Sequence, residues 1–107
     1  MKILLDENIP RRLKFDFGIS DEVSTIQELN WQGKKNGELL GLMTVAGFDV
    51  FITLDKNLQY QQNLRRFSIK IIILDASDSR YQTLQPFVLK LTKILSLKIS
   101  EQVTIIL

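Results

Sequence analysis

The hydrophobic pattern of this chain alternates between short apolar runs and longer stretches with a helical period. Most of the runs are rich in Ile, Leu and Val, which is typical of strands in a buried parallel sheet. The most apolar run, at residues 69–74, fits a strand that is buried on both faces of its sheet. The pattern therefore predicts strands at residues 2–5, 22–25, 48–53, 69–74 and 103–107.

Stretches with a helical period separate these runs. In the first of them Ile9, Leu13 and Phe17 recur at i, i+4 and i+8, and Pro10 occupies the first turn, where a missing N–H costs little. Residues 27–35 instead read as an irregular connection with at most one helical turn. The predicted helices cover residues 9–17, 37–46, 58–65 and 82–97.

Strands that alternate with helices indicate parallel βαβ units joined by right-handed crossovers. The chain is thus predicted to form one domain, residues 1–107, of the α/β class. We expect a three-layer α/β/α sandwich with a mostly parallel five-stranded sheet in the order 2-1-3-4-5. Strands 1 and 3 are neighbours in this order, and ligands of open α/β sheets bind beside such a point, at the carboxyl ends of the strands.

Acidic residues follow both of these strands. Asp6 comes directly after strand 1 and Asp55 directly after strand 3. Two carboxylates about 4 Å apart repel by roughly 4 kcal/mol at an effective dielectric of about 20, unless one is protonated or a cation lies between them. A cation such as Mg²⁺ takes one or two carboxylates, keeps several waters and can activate water against a phosphodiester. The sequence therefore predicts a divalent-metal site at Asp6 and Asp55. The alternative is that Asp6 is a turn or cap residue and that Asp55 is the N-cap of the helix that follows it.

The composition narrows the chemistry of this site. The chain has no histidine and no cysteine, which excludes Ser-His-Asp triads, cysteine nucleophiles, disulfides and zinc-thiolate sites. Any bound metal must therefore be held by oxygen ligands. The net charge of +2 weakly favours a polyanionic partner such as RNA. No stretch approaches the ~20 apolar residues of a membrane helix, so we expect a soluble, cytoplasmic protein without a membrane partner.

For each of the other charged residues near the strand ends, the sequence allows two interpretations. Glu7 is either a ligand or a solvated acid in the first turn of a helix, and Glu38 is either a third site residue or an ordinary first-turn acid. Lys34 and Lys35 lie in a Gly-containing loop that either contacts nucleic-acid phosphates or is simply solvated. Lys56 either stabilises charge in a transition state or forms an ion pair.

Two segments resemble a known family. Residues 1–10, Met-Lys-Ile-Leu-Leu-Asp-Glu-Asn-Ile-Pro, are similar to the opening motif of the PIN-like domains grouped as DUF5615. Residues 51–58, Phe-Ile-Thr-Leu-Asp-Lys-Asn-Leu, are similar to that family's strand-plus-acid motif. The resemblance implies a PIN-like fold and a Mg²⁺- or Mn²⁺-dependent endoribonuclease, often the toxin of a bacterial pair whose partner is an antitoxin protein.

The resemblance also implies roles for particular residues. Asp6, Glu38 and Asp55 match the acidic positions that bind metal and carry catalysis. Asn57 stands where these domains often have a further acid, and it is a neutral, weaker ligand. Asn57 therefore counts against a second bound metal and against catalytic turnover.

Two other functions stay open. One is a binding module on the same fold without turnover, which Asn57 favours. The other is a receiver-type phosphoacceptor domain, which also has acids after strands 1 and 3. A receiver needs Ser or Thr after strand 4, where this chain has Asp75, with Ser77 only nearby. We interpret Asp75 as a turn residue, and the alternative is that it substitutes for the acid that Asn57 replaces. The apolar run 103–107 predicts a sheet edge that pairs with another chain, for instance in a homodimer.

Overall fold

The five strands lie close to their predicted positions. The computed structural model describes residues 1–18, 22–61, 63–97 and 99–107. The strands are β1 (Lys2–Leu5), β2 (Glu22–Thr25), β3 (Val50–Thr53), β4 (Lys70–Leu74) and β5 (Val103–Ile106). They form one sheet in the order β2-β1-β3-β4-β5, in which every neighbouring pair is parallel. The predicted order is confirmed, and the sheet is parallel throughout its described part.

Helical segments connect the strands. The α-helices are α1 (Ile26–Leu29), α2 (Asn36–Ala46), α3 (Tyr81–Leu84) and α4 (Phe87–Ser96). Three 3₁₀ segments complete the connections, at Arg11–Asp16, Lys56–Tyr60 and Leu64–Arg66. None of the described helices is long and apolar enough to cross a membrane.

Helical segments cover the sheet on both faces. Successive strand residues point to opposite faces, so Ile3 and Leu5 enter one core while Leu4 enters the other. The first core packs against the 3₁₀ segment Arg11–Asp16 and helices α3 and α4, and the second packs against α2 and the other 3₁₀ segments. The predicted three-layer α/β/α sandwich is therefore confirmed.

Two of the predicted helices are not α-helices. Residues 9–17 contain the 3₁₀ segment Arg11–Asp16, and residues 58–65 are replaced by Lys56–Tyr60 and Leu64–Arg66. Both connections return along the sheet in few residues. A 3₁₀ helix rises ~2.0 Å per residue against ~1.5 Å for an α-helix, so it covers that distance with fewer residues. The predicted burial of Ile9, Leu13 and Phe17 is nevertheless confirmed.

The last predicted helix, residues 82–97, is interrupted near its start. Tyr81–Leu84 and Phe87–Ser96 are separate helices, with Gln85 and Pro86 between them. Pro86 has no N–H to donate to the preceding turn, so the helical hydrogen bonds are interrupted there although Gln85 and Pro86 both keep helical backbone angles. The apolar period predicted one continuous helix because the apolar spacing continues on both sides of this break.

The end of helix α2 positions strand β3. Gly47 adopts the left-handed conformation with φ of 82°, as the predicted stop at a glycine requires. Its N–H and that of Phe48 donate to the last carbonyls of the helix. Phe48 therefore belongs to the helix cap, which is why the strand begins at Val50 and not at residue 48.

Candidate functional site

The carboxyl ends of β1 and β3 bring Asp6 and Asp55 to one edge of the sheet. The two strands are neighbours and pair Leu5 with Ile52. The N–H of Asp6 donates to the carbonyl of Ile52 at 2.9 Å, which extends the ladder by one residue beyond β1. The position of the Asp6 backbone is therefore fixed by the sheet itself.

Both oxygens of the Asp6 carboxylate accept hydrogen bonds. The Thr53 hydroxyl donates to Oδ2 at 2.6 Å, and the N–H of Glu7 donates to Oδ1 at 2.7 Å. Burial raises the pKa of Asp6 above its ordinary value, and the charges of Glu7 and Asp55 raise that pKa further, against the lowering effect of the two hydrogen bonds. The fold therefore holds this carboxylate in a place that disfavours its charge.

Thr53 links the two acids. Its side chain is fully buried at the end of β3, and its hydroxyl accepts a hydrogen bond from the N–H of Asp55 at 3.0 Å while donating to Asp6. No role was predicted for Thr53 from the sequence. The available signal was a hydroxyl at the end of an otherwise apolar strand, two residues before an acid.

Asp55 also begins the following 3₁₀ segment. Its Oδ1 accepts from the N–H of Asn57 at 3.0 Å, which makes it the N-cap of Lys56–Tyr60. Among the described residues no donor occupies the other oxygen, Oδ2. The capping role and the site role of Asp55 are therefore compatible. Asn57 meets Asp55 through its backbone, and its own side chain is exposed.

Glu7 joins a distant loop to this edge of the sheet. Its Oε1 accepts from the N–H of Gly33 at 2.9 Å, across 26 positions in sequence. Gly33 has a φ of 75°, a conformation that favours glycine. The exposed side chains of Lys34 and Lys35 follow directly. The bond thus holds the basic loop beside the end of β1.

Three further charged residues do not join the pair. Glu38 is exposed in the first turn of α2. Lys56 follows Asp55 but forms an ion pair with Asp75, which follows β4. The ion-pair reading of Lys56 is the one this contact supports. Asp75 also donates its N–H to the carbonyl of Ile106, as a residue continuing the ladder.

The donor set fits a cation held by few protein ligands. Within residues 1–18, 22–61, 63–97 and 99–107, no group of three or more acidic side chains is arranged to hold a metal ion. A Mg²⁺ ion commonly binds through one or two carboxylates and completes its shell with water. Asp6 and Asp55 supply such a pair, and Glu7 lies next to it. No third carboxylate, Glu38 included, completes a cage in this part of the chain.

Comparisons of this chain with protein-family models, curated proteins and solved structures found no match. The resemblance to PIN-like domains stays a prediction from the two motifs. The function of the chain is therefore inferred from the chemistry of the residues at this edge of the sheet.

Proposed function

We propose that this chain is a Mg²⁺- or Mn²⁺-dependent endoribonuclease of PIN-like type, with Asp6 and Asp55 as the metal ligands. The observation that carries the proposal is the Asp6 carboxylate. It is half-buried, its pKa is raised mainly by burial, and within the described residues no Lys or Arg side chain forms an ion pair with it. A divalent cation would supply the missing positive charge.

The residues around Asp6 have distinct parts in this proposal. Thr53 orients the carboxylate and is itself held by the N–H of Asp55, so the two acids are positioned through one buried hydroxyl. When bound, the cation would polarise a phosphodiester and lower the pKa of water. Lys34 and Lys35, whose loop is tied to Glu7 through Gly33, would contact the phosphates on either side of the cleaved bond.

The test is cleavage of single-stranded RNA with Mn²⁺ or Mg²⁺ and with EDTA. Asp6→Asn and Asp55→Asn should reduce cleavage to background while leaving the fold intact. Glu22→Gln is the matched control, because Glu22 is exposed at the start of β2, at the opposite end of the sheet. Cleavage that persists in EDTA, or in both aspartate variants, would contradict the proposal.

A binding module without turnover is the second candidate. It is favoured by the finding that, within the described residues, no group of three acidic side chains is arranged to hold a metal ion. It predicts that the wild type binds RNA and metal but that labelled RNA stays uncut. An antitoxin partner is implied by the resemblance, and a cytoplasmic location is expected from the sequence itself. Both apply to either candidate.

A further inference from the structure

The outer edge of β5 carries backbone groups that no described strand pairs. On its inner side the carbonyl of Gln102 accepts from the N–H of Ile71 at 2.7 Å, and the carbonyl of Ile106 accepts from the N–H of Asp75 at 2.8 Å. Residues with even numbers thus direct their backbone groups to β4. By the alternation of a parallel ladder, the N–H and C=O groups of Val103 and Ile105 point away from the sheet, where no described strand lies.

This edge lacks the features that usually protect an edge strand. Natural sheets guard their edges with charged residues, proline or bulges. β5 has the sequence Val-Thr-Ile-Ile, without a charge or a proline, whereas the opposite edge strand, β2, carries the exposed Glu22. Ile105 is 42% exposed and Leu107 is 76% exposed. The edge is therefore a template for a further strand.

Cavities on both sides of β5 could receive the side chains of such a strand. One of about 420 Å³ is lined by Ile94 and Ile105 together with Lys90 and Lys93. Another of about 520 Å³ borders Val103 and contains Arg65 and Arg66. Strand addition gains its affinity from backbone hydrogen bonds and its specificity from pockets for alternate side chains.

The charges around this edge favour one kind of binding partner over another. Lys90 and Lys93 lie on one side of β5, where Lys90 donates to the carbonyl of Leu107, and Arg65 and Arg66 lie on the other. In the described part of the chain, the acid lining a cavity beside β5 is Glu101. A second copy of the chain, paired about a twofold axis at β5, would bring these basic groups toward their own copies. An acidic segment would instead be attracted to them.

We propose that the outer edge of β5 binds an extended acidic segment of a partner protein, which adds to the sheet as a sixth strand. The segment alternates apolar side chains, which enter the cavities, with Asp or Glu, which meet the basic residues beside them. This surface is separate from Asp6 and Asp55, and the proposal does not depend on nuclease activity.

The experiment selects binders from a displayed library of random ten-residue peptides on the immobilised wild-type chain. The selected peptides should alternate apolar and acidic residues. Ile105→Pro removes an outward N–H without touching the ladder to β4, and proline is tolerated at an edge strand. It should weaken the selected peptides about tenfold, the effect of one lost backbone hydrogen bond. Ile105→Val keeps the N–H and the branched side chain, so it should bind like the wild type.

Charge reversal provides an independent arm. Lys93→Glu combined with Arg66→Glu should weaken the acidic peptides about tenfold or more at low salt and less at high salt. Thermal unfolding of each variant checks that the fold is kept. A library that yields no binder, or binders that are indifferent to Ile105→Pro, would overturn the proposal. Self-association of the wild type that Ile105→Pro abolishes would overturn it in favour of a second copy.

Discussion

Asp6 and Asp75 occupy equivalent places in the sheet but have different charged neighbours. Each directly follows a strand at the same edge of the sheet and donates its N–H to the carbonyl of a neighbouring strand. Asp75 is paired with Lys56, so its charge is balanced within the chain. Asp6 is half-buried beside Glu7 and Asp55, and burial raises its pKa. The fold thus pairs one carboxylate with a lysine and leaves the other without an ion pair among the described residues.

The difference between the two acids follows from the position of the Lys56 ammonium. Lys56 is adjacent to Asp55 in sequence, yet its ammonium contacts the acid after β4 and not the pair at β1 and β3. A residue that is kept where its charge is disfavoured costs stability, and such costs concentrate at functional sites. Asp6, and not Asp75, is therefore the residue on which the proposed site depends.

Among changes outside the two aspartates, the largest effect should come from Thr53→Val. This change removes the hydroxyl that orients Asp6 and accepts from the N–H of Asp55, so Mn²⁺ affinity should fall about tenfold or more, as for other groups that orient metal ligands. Thr25→Val is the matched control. Thr25 is equally buried, but its hydroxyl caps helix α1, so its loss should cost about 1 kcal/mol of stability without changing Mn²⁺ affinity. Equal affinities in the two variants would refute the role of Thr53.

The second-largest effect should be a pH-dependent difference in stability between Asp6→Asn and the wild type. Without added metal, burial raises the pKa of Asp6 above 3.8, so the folded chain binds more protons than the unfolded chain between 3.8 and the raised value. The contribution of Asp6 to the free energy of unfolding therefore falls as pH rises through that interval. Asp6→Asn should be more stable than the wild type at neutral pH, and its advantage should shrink as the pH is lowered. Urea unfolding across a pH series measures this.

Glu28 provides the control of opposite sign. The hydrogen bond from Lys14 lowers the pKa of Glu28. Its contribution to stability is therefore present above the unfolded pKa and lost as pH falls. Glu28→Gln should cost stability at neutral pH and converge with the wild type in acid. If Asp6→Asn behaves like Glu28→Gln, the account of Asp6 as a disfavoured carboxylate is wrong.

The smallest effect should come from Lys56→Gln, which makes Asp75 resemble Asp6. The ion pair is largely solvent-exposed, so its loss should change the free energy of unfolding by less than about 1 kcal/mol. Mn²⁺ affinity should stay the same or rise slightly, because one positive charge is removed near the site. Thermal unfolding and the metal titration together check this. A marked loss of Mn²⁺ affinity would instead give Lys56 a part in the site.

Much of the sheet was predictable because its signals are local. Continuous apolar runs such as residues 71–74 are typical of strands inside a parallel sheet, and the rule that ligands meet the carboxyl ends of neighbouring strands pointed to Asp6 and Asp55. The 3₁₀ segments were missed because apolar spacing reports which side chains are buried and not how tightly the backbone winds. Pro86 was the one local signal of a break that the periodicity outweighed.

The details of the site were less predictable. The bond between Glu7 and Gly33 and the ion pair of Lys56 depend on distances between connections that are remote in sequence. The hydroxyl of Thr53 could have been singled out as a polar group at a buried strand end, since such a group needs a partner. The partner itself, Asp6, follows only from the register of β1 and β3.

The most direct test is a calorimetric titration of Mn²⁺ into the wild type, Asp6→Asn, Asp55→Asn and Glu22→Gln. We expect the wild type and Glu22→Gln to bind Mn²⁺ with the same affinity and both aspartate variants to lose the binding. Absence of Mn²⁺ binding by the wild type, with and without single-stranded RNA, would contradict the account. Asp6 and Asp55 would then be a ladder residue and a helix cap, without a shared cation.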